Sequence, residues 1–315
     1  MLRRALEIAL EHDIPTAALR ALYNLADHCW RRDDLARAEG YVTDGLALAR
    51  RNGNRRLEWQ FLGVSYHLYS MGKWDEALAR AAALPDPSRL QEARLAFGCY
   101  LCPLPMIRVH RGDLEGAEAD LRLFTDAATS DDLQEQAGFA LGTAVLLRAR
   151  GEHERVIELW DRFDEARQSL GVGAEFFRES LVETVESAIA LGDLSRADEL
   201  LTMAAGLRPG DRPPSLQAHI ARLASKLRLA RGDGEDLEEG YAQAEQVFGE
   251  LGIPFWKGVA LLEHGEWLTA EGRPAEAVPL LDEARSVFER LAARPWLERV
   301  GAAGTASEPK AAAPR

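Results

Sequence analysis

The stretch Gly112-Asp113-Leu114-Glu115-Gly116-Ala117 decides the fold, because its outline returns six more times along the chain. The counterparts run from Asp33 to Ala38, Gly72 to Ala77, Gly151 to Val156, Gly192 to Ala197, Gly232 to Leu237 and Gly272 to Ala277. Each opens on a turn residue and reaches, five positions later, an apolar and mostly small one. Successive turns lie 39, 40, 39, 41, 40 and 40 residues apart. A constant period near 40 marks a solenoid of stacked supersecondary units.

The columns around the turn describe the unit. Eleven residues before it stand Leu22, Phe61, Leu101, Ala140, Leu181, Ala221 and Leu261. Seven before it the residue is usually small: Ala26, Ser65, Pro105, Ala144, Val185, Ser225 and Gly265. Nine after it the residue is apolar again: Val42, Ala81, Leu121, Trp160, Leu201, Tyr241 and Leu281. Four-residue steps place apolar residues on one stripe of a helix. The turn glycine ends a first helix by adopting positive φ, and Asp113, Asp193 and Asp233 suit the start of a second.

The columns resemble the tetratricopeptide pattern, W-x2-L-G-x2-Y followed by A-x3-F, in its helix-contact positions. The period exceeds the usual ~34 residues, so each helix carries extra length. The expected fold is an all-α, tetratricopeptide-like right-handed superhelical solenoid of about seven helix pairs. Residues 14–299 form the seven repeats, and residues 1–13 align with the second half of an incomplete leading repeat. Residues 300–315, rich in Ala, Gly and Pro, have no periodic apolar face and read as a disordered tail. First helices are expected near 15–31, 54–71, 88–111, 132–150, 173–191, 213–231 and 254–271. Pro103 and Pro105 fall inside the third and must bend or break it.

A finer resemblance lies in the last repeat. It comprises Leu251-Gly252-Ile253-Pro254, Leu261-Leu262-Glu263-His264-Gly265, Gly272-Arg273-Pro274-Ala275-Glu276-Ala277, Phe288-Glu289-Arg290-Leu291 and Arg294-Pro295-Trp296-Leu297. These are similar to the C-terminal end of large bacterial signalling proteins. In that family a tetratricopeptide array follows a nucleotide-binding ATPase module, and the chain also bears an adenylate/guanylate cyclase or a LuxR-type DNA-binding domain. The resemblance implies a non-catalytic array that senses a ligand or a protein segment for a signalling or transcription regulator. The alternative is a stand-alone adaptor that binds a partner peptide in its concave groove. The first eleven residues begin mid-helix by the repeat alignment, so a leading unit is expected upstream, and Leu2, Leu6 and Leu10 would otherwise expose a stacking face open to self-association.

Composition narrows the function classes. Net charge is −13, from 38 basic and 51 acidic residues, which disfavours direct nucleic-acid binding. No apolar run approaches the ~18 residues of a membrane span. Three cysteines do not suit a disulfide framework and point to a reducing cytoplasm. Cys99-x-x-Cys102 has half-site spacing but lies on a predicted helix, where two thiols pack as small hydrophobes. Gly171-Val172-Gly173 follows no strand and reads as an inter-helix turn. Asp33-Asp34 and Asp131-Asp132 fall at helix starts and read as caps. His12, His28, His67, His110, His153, His219 and His264 are scattered over surface and seam positions. No catalytic residue, metal ligand set or cofactor motif emerges, so an enzyme lacks its site.

In a tetratricopeptide array the first helices line the concave groove. The columns then place Arg20, Tyr23, Asp27, Trp59, Tyr66 and Tyr69 there, with Trp30, Met106 and His110 beside them. Polar-tipped aromatics among charges suit a peptide or a small effector. Tyr23, Trp59 and Tyr66 are expected to form one continuous patch, with Arg20 and Asp27 orienting the ligand. Trp30 and Tyr69 are the rings most apt to fill the seam instead. Later units add Glu179, Val182, Glu186, Arg222, Lys226 and Glu266 to this face.

The contact columns also make a stability prediction. Ala117→Trp or Ala197→Trp should overpack a helix seam and cost about 1–3 kcal/mol or more, read as a lowered thermal midpoint. Unchanged midpoints in both variants would refute the column assignment.

Overall fold

A computed structural model of the chain describes residues 1–86, 98–171, 175–234 and 237–307. Among these, all regular structure is helical, and the chain is an all-α solenoid. α1 (Leu2–Glu11) leads into α2 (Pro15–Trp30) and α3 (Leu35–Arg51), the first pair. The second unit has a divided first helix, α4 (Arg55–Gly63) and α5 (Tyr66–Ser70), then α6 (Trp74–Ala82). The third repeats that division as α7 (Gly98–Leu101) and α8 (Pro103–His110), before α9 (Leu114–Arg122). The fourth has α10 (Leu133–Ala149), then α11 (His153–Glu158) and α12 (Trp160–Leu170). The last three are α13 (Glu175–Ala190) with α14 (Leu194–Ala205), α15 (Pro214–Ala230) with α16 (Leu237–Leu251), and α17 (Pro254–Ala270) with α18 (Pro274–Leu291).

The repeating turn has one local cause. Gly72, Gly112, Gly151, Gly192, Gly232 and Gly272 all sit at φ between 70 and 83°, and Asp33 at the first turn has φ 62°. At each, the next residue's N–H donates to the carbonyl five positions back, as in Asp34 N to Cys29 O at 2.9 Å and Asp113 N to Arg108 O at 2.8 Å. That 6→1 bond satisfies a carbonyl left over at the helix end. The column residues Ala38, Ala77, Ala117, Val156, Ala197 and Ala277 are then fully buried between paired helices.

Two helix breaks occur side by side. Pro103 stands at the first position of α8, where its missing N–H is not needed, and the break falls at Cys102. In the first helix of the second unit no proline is present, yet Val64 takes an extended ψ of 100° between α4 and α5. The expected beginning of the third unit's first helix, at 88, lies outside the described residues. One expectation is corrected: the segment from 300 is not structureless, since α19 (Arg294–Ser307) carries a helix through it. Val300 is fully buried and Trp296 meets Phe255 and Phe288, so tertiary burial supplies what the Ala- and Gly-rich sequence does not suggest. Residues 308–315 lie outside the described set.

The superhelix is tight enough for early and late units to touch. The guanidinium of Arg111 donates to the Leu291 carbonyl at 3.0 Å, 180 residues away. The His110 imidazole lies 4.1 Å from the Phe255 ring, with Tyr69, Trp74 and Trp296 around them. Asp33, buried at 7 % exposure, bonds Arg178 on α13 and accepts from Ser215 N and Ser215 Oγ on α15, both at 2.8 Å. This corrects the capping role expected of Asp33: its carboxylate faces the far units, while Asp34 occupies the cap position and pairs with Arg37.

A glycine at position 33 would match six other turns, yet it should destabilise the protein. Asp33→Gly relieves about 1 kcal/mol of left-handed strain but removes the carboxylate facing a buried guanidinium, a loss of about 3–5 kcal/mol. Urea unfolding should show a net loss of a few kcal/mol. A neutral or stabilising result would mean that the clamp does not hold the superhelix closed.

Candidate ligand cleft and the closed concave face

α13, the first helix of the fifth unit, lies on the closed inner seam, bonded to Tyr66 and Asp33 of early units. Every residue from Phe177 to Val185 on it is buried, including Arg178, Glu179, Ser180, Glu183 and Thr184. So many polar side chains can be buried only if they are paired. Tyr66 Oη, redirected by the break before α5, donates to Glu179 Oε1 at 2.7 Å across 113 residues. Arg148 forks onto both carboxylate oxygens of Glu183. Further along, Arg222 donates to Glu186 at 2.8 Å and to Glu263 at 2.7 Å, and Lys226 reaches the same two carboxylates. Arg299 on α19 completes the row by pairing with Glu266.

The groove expected from the columns is therefore largely filled. Glu186, Arg222 and Lys226 are committed to one another and to Glu263, and Glu266 to Arg299, so they do not form a charged open wall. Tyr69 is 1 % exposed and sits against Trp74 and His110. Trp59 packs with Tyr100 and Phe139 around Leu62 and Leu101 in a second apolar cluster, so no continuous patch of Tyr23, Trp59 and Tyr66 exists. Asp27 pairs with Arg31 at 3.0 Å, and Arg31 in turn donates to the Leu170 carbonyl at 3.3 Å. The columns could not reveal that these residues meet partners from other units.

Two of the expected residues do meet in an open site. Arg20 and Tyr23 on α2, with Asn24, face Arg56, Leu57 and Gln60 on α4 across a cleft of about 500 Å³. The Tyr23 ring is held edge-on to Phe61 at 5.9 Å, and Asn54 Oδ1 accepts from Leu57 N at 3.2 Å, fixing the start of α4. Two guanidiniums, three carboxamides, the Thr16 hydroxyl, the Tyr23 ring and Leu57 line the cleft without a carboxylate. Such a surface suits an extended backbone that carries acidic groups. Arg56, Asn24 and Gln60 escape column reading because they stand off the repeat stripe of α4 and of α2. A larger hollow, about 610 Å³, opens at the N-terminal end around Met1, Arg3, His28 and Arg37.

Burial sets the ionisation of the seam. It pushes the Glu179 carboxyl up to about 7, against the hydrogen bond from Tyr66 and the charge of Arg178, and with help from Glu183. Burial and then Arg148 hold His110 well below the usual imidazole range, so it is neutral, and Tyr69 Oη lies 3.3 Å from its Nε2. Burial opposes ionisation of Glu39 too, but bonds from His67 and Arg80 outweigh it and bring the carboxyl to about 2. The Cys99 thiol is raised to about 12 by burial, and Cys29, Cys99 and Cys102 are all buried and form no disulfide. Among the described residues no cluster of three or more His, Cys, Asp or Glu could hold a metal ion, and no helix is long and apolar enough to cross a membrane.

No family model and no curated protein matches the chain in sequence. In three dimensions it resembles a Rap protein solved in complex with competence and sporulation factor, with a TM-score of 0.65. The alignment covers 90 % of this chain and 79 % of the other at 11 % identity. That likeness supports a tetratricopeptide-like helical array.

The buried carboxyl predicts a pH effect of definite sign. Between the unfolded value near ~4.3 and about 7, native Glu179 holds a proton that the unfolded chain releases. Its contribution to stability is therefore complete below that window and lost as pH rises through it. Wild type should lose roughly 2–3 kcal/mol more than Glu179→Gln between about pH 5 and about pH 8. Parallel urea titrations of the two proteins that stay equally spaced would refute this.

Proposed function

We propose that the protein is a non-catalytic interaction array that docks an acidic peptide or protein segment in the cleft between α2 and α4. The observation that carries this reading is the lining of Arg20, Arg56, Asn24, Asn54 and Gln60 around Tyr23 and Leu57. Carboxamides pair with backbone N–H and C=O groups, guanidiniums fork onto carboxylates, and the two apolar side chains give an anchor its seat. In a protein of net charge −13, an acidic-poor cleft with two arginines is a local exception that steers such a segment. The solved Rap protein of similar fold holds a bound factor, which agrees with an interaction role.

We further propose that the array belongs to a nucleotide-dependent bacterial signalling or transcription regulator of the cytoplasm. What supports this is the resemblance of the final repeat, Leu251 to Trp296, to that family. In this reading an effector bound to the array is reported to an ATPase module elsewhere in the protein. The stand-alone adaptor remains the other reading, and the genomic frame before Met1 separates them: an in-phase phosphate-binding loop supports the regulator, and an in-frame stop supports the adaptor. Self-association through the end face belongs to the same proposal, since Met1, Ile8, Leu10 and Ile14 are exposed there.

The cleft is tested by panning the full chain against a library of random nonapeptides. Enrichment of sequences rich in Asp and Glu is expected, with binding reduced at least ~tenfold in Arg20→Glu/Arg56→Glu. Both arginines are exposed, so the fold should survive, as circular dichroism would show. Equal binding by the folded double variant, or enrichment without acidic residues, overturns the assignment.

A further inference from the structure

The two helix breaks lie against each other, and a cavity of about 120 Å³ opens between them. Its walls include Trp30 from α2, Val64 and Ser65 from the first break, Cys102 and Pro103 from the second, and Phe176 from α13. Two buried polar atoms on these walls have no hydrogen-bond partner: Trp30 Nε1 and Ser65 Oγ. Their residues are 6 % and 2 % exposed, so bulk water does not satisfy them. Trp30 is not free to turn away, because its indole is stacked on His67. Unsatisfied buried donors are uncommon in folded proteins and ask for an account. Two on one cavity point to the cavity.

Water fits the apolar part of the site poorly. A buried water needs two to four polar partners, and a space of this size would hold about four waters at ~30 Å³ each. Asp132, Gln134 and Glu135 add polar groups to the lining, but Val64, Pro103 and Phe176 offer water no side-chain partner, so the part of the cavity they wall suits an apolar group. We infer that this cavity is a binding site for a small, non-anionic organic molecule that combines one ring with an amide-like acceptor and donor. The ring matches the volume: a dry apolar cavity of ~150 Å³ takes up benzene. An acceptor is required because the indole N–H can only donate, while the serine hydroxyl both donates and accepts. An anion is excluded by Asp132 and Glu135 on the same lining. This inference stands independently of the peptide cleft, although Tyr23 lines both.

Benzamide and its apolar isostere isopropylbenzene are the probes, titrated by ligand-observed NMR into the full chain and into Ser65→Ala and Trp30→Phe. Saturable benzamide binding is expected in the wild type. The preference for benzamide over isopropylbenzene should fall roughly tenfold in each variant, about one hydrogen bond's worth. Ser65→Ala removes an unpartnered hydroxyl and should not lower the melting temperature, so it decides the matter alone if Trp30→Phe misfolds. No saturable benzamide binding below about 10 mM would mean that the cavity holds only water. A probe preference unchanged in folded Ser65→Ala would mean an adventitious apolar void. Either result overturns the site.

Discussion

A single carboxylate, that of Asp33, joins the first turn of the solenoid to its fifth and sixth units. It satisfies Arg178 and the Ser215 backbone and hydroxyl at once. Its backbone stands in the left-handed region that glycine occupies at the six equivalent turns. A residue held in such a conformation is retained where its surroundings over-determine it. Here they do, since the same geometry that strains the backbone aims the side chain across the superhelix. Tyr66 to Glu179 and the aromatic cluster around His110 and Phe255 lie along the same closed seam.

Closure changes what a solenoid can be. An open array has stability that adds unit by unit, with each unit touching only its neighbours. Bonds such as Arg111 to Leu291, across 180 residues, add long-range terms to that sum and couple the ends. Closure also explains the polar character of α13. A helix buried all round is normally apolar, but α13 supplies Arg178, Glu179 and Glu183, each answered by a residue from another unit. The inner seam is thus held by matched pairs, which specify partners in a way that apolar packing alone does not.

The broken helices follow from the same demand. Tyr66 opens the helix after the first break, and its phenol reaches Glu179. The proline at 103 makes the parallel break in the next unit inexpensive, because it occupies a first-turn position. Divided helices leave space that continuous ones would fill, and the cavity beside Trp30 and Ser65 is that space. The outer cleft and the inner cavity share one residue, since Tyr23 lines both.

The sequence by itself determined the helix pairs, their turns and their seams, because each depends on contacts within one 40-residue period and leaves a column to read. Ala117, Ala197 and Gly112 are legible in this way, and so is the disruption at Pro103. The break at Val64 left no such mark, and neither did the helix that runs through residues 300–307, whose weak local propensity is overridden by the burial of Val300. The fate of the concave side was decided only in three dimensions. Tyr66, Tyr69, Glu186 and Arg222 occupy the columns of an open groove, but whether such residues meet ligand or one another depends on superhelical pitch. Pitch is the sum of small rotations between units, and no single column records it. Arg20 and Tyr23 stayed accessible because α4 leaves a cleft beside α2, an arrangement that only the assembled helices define.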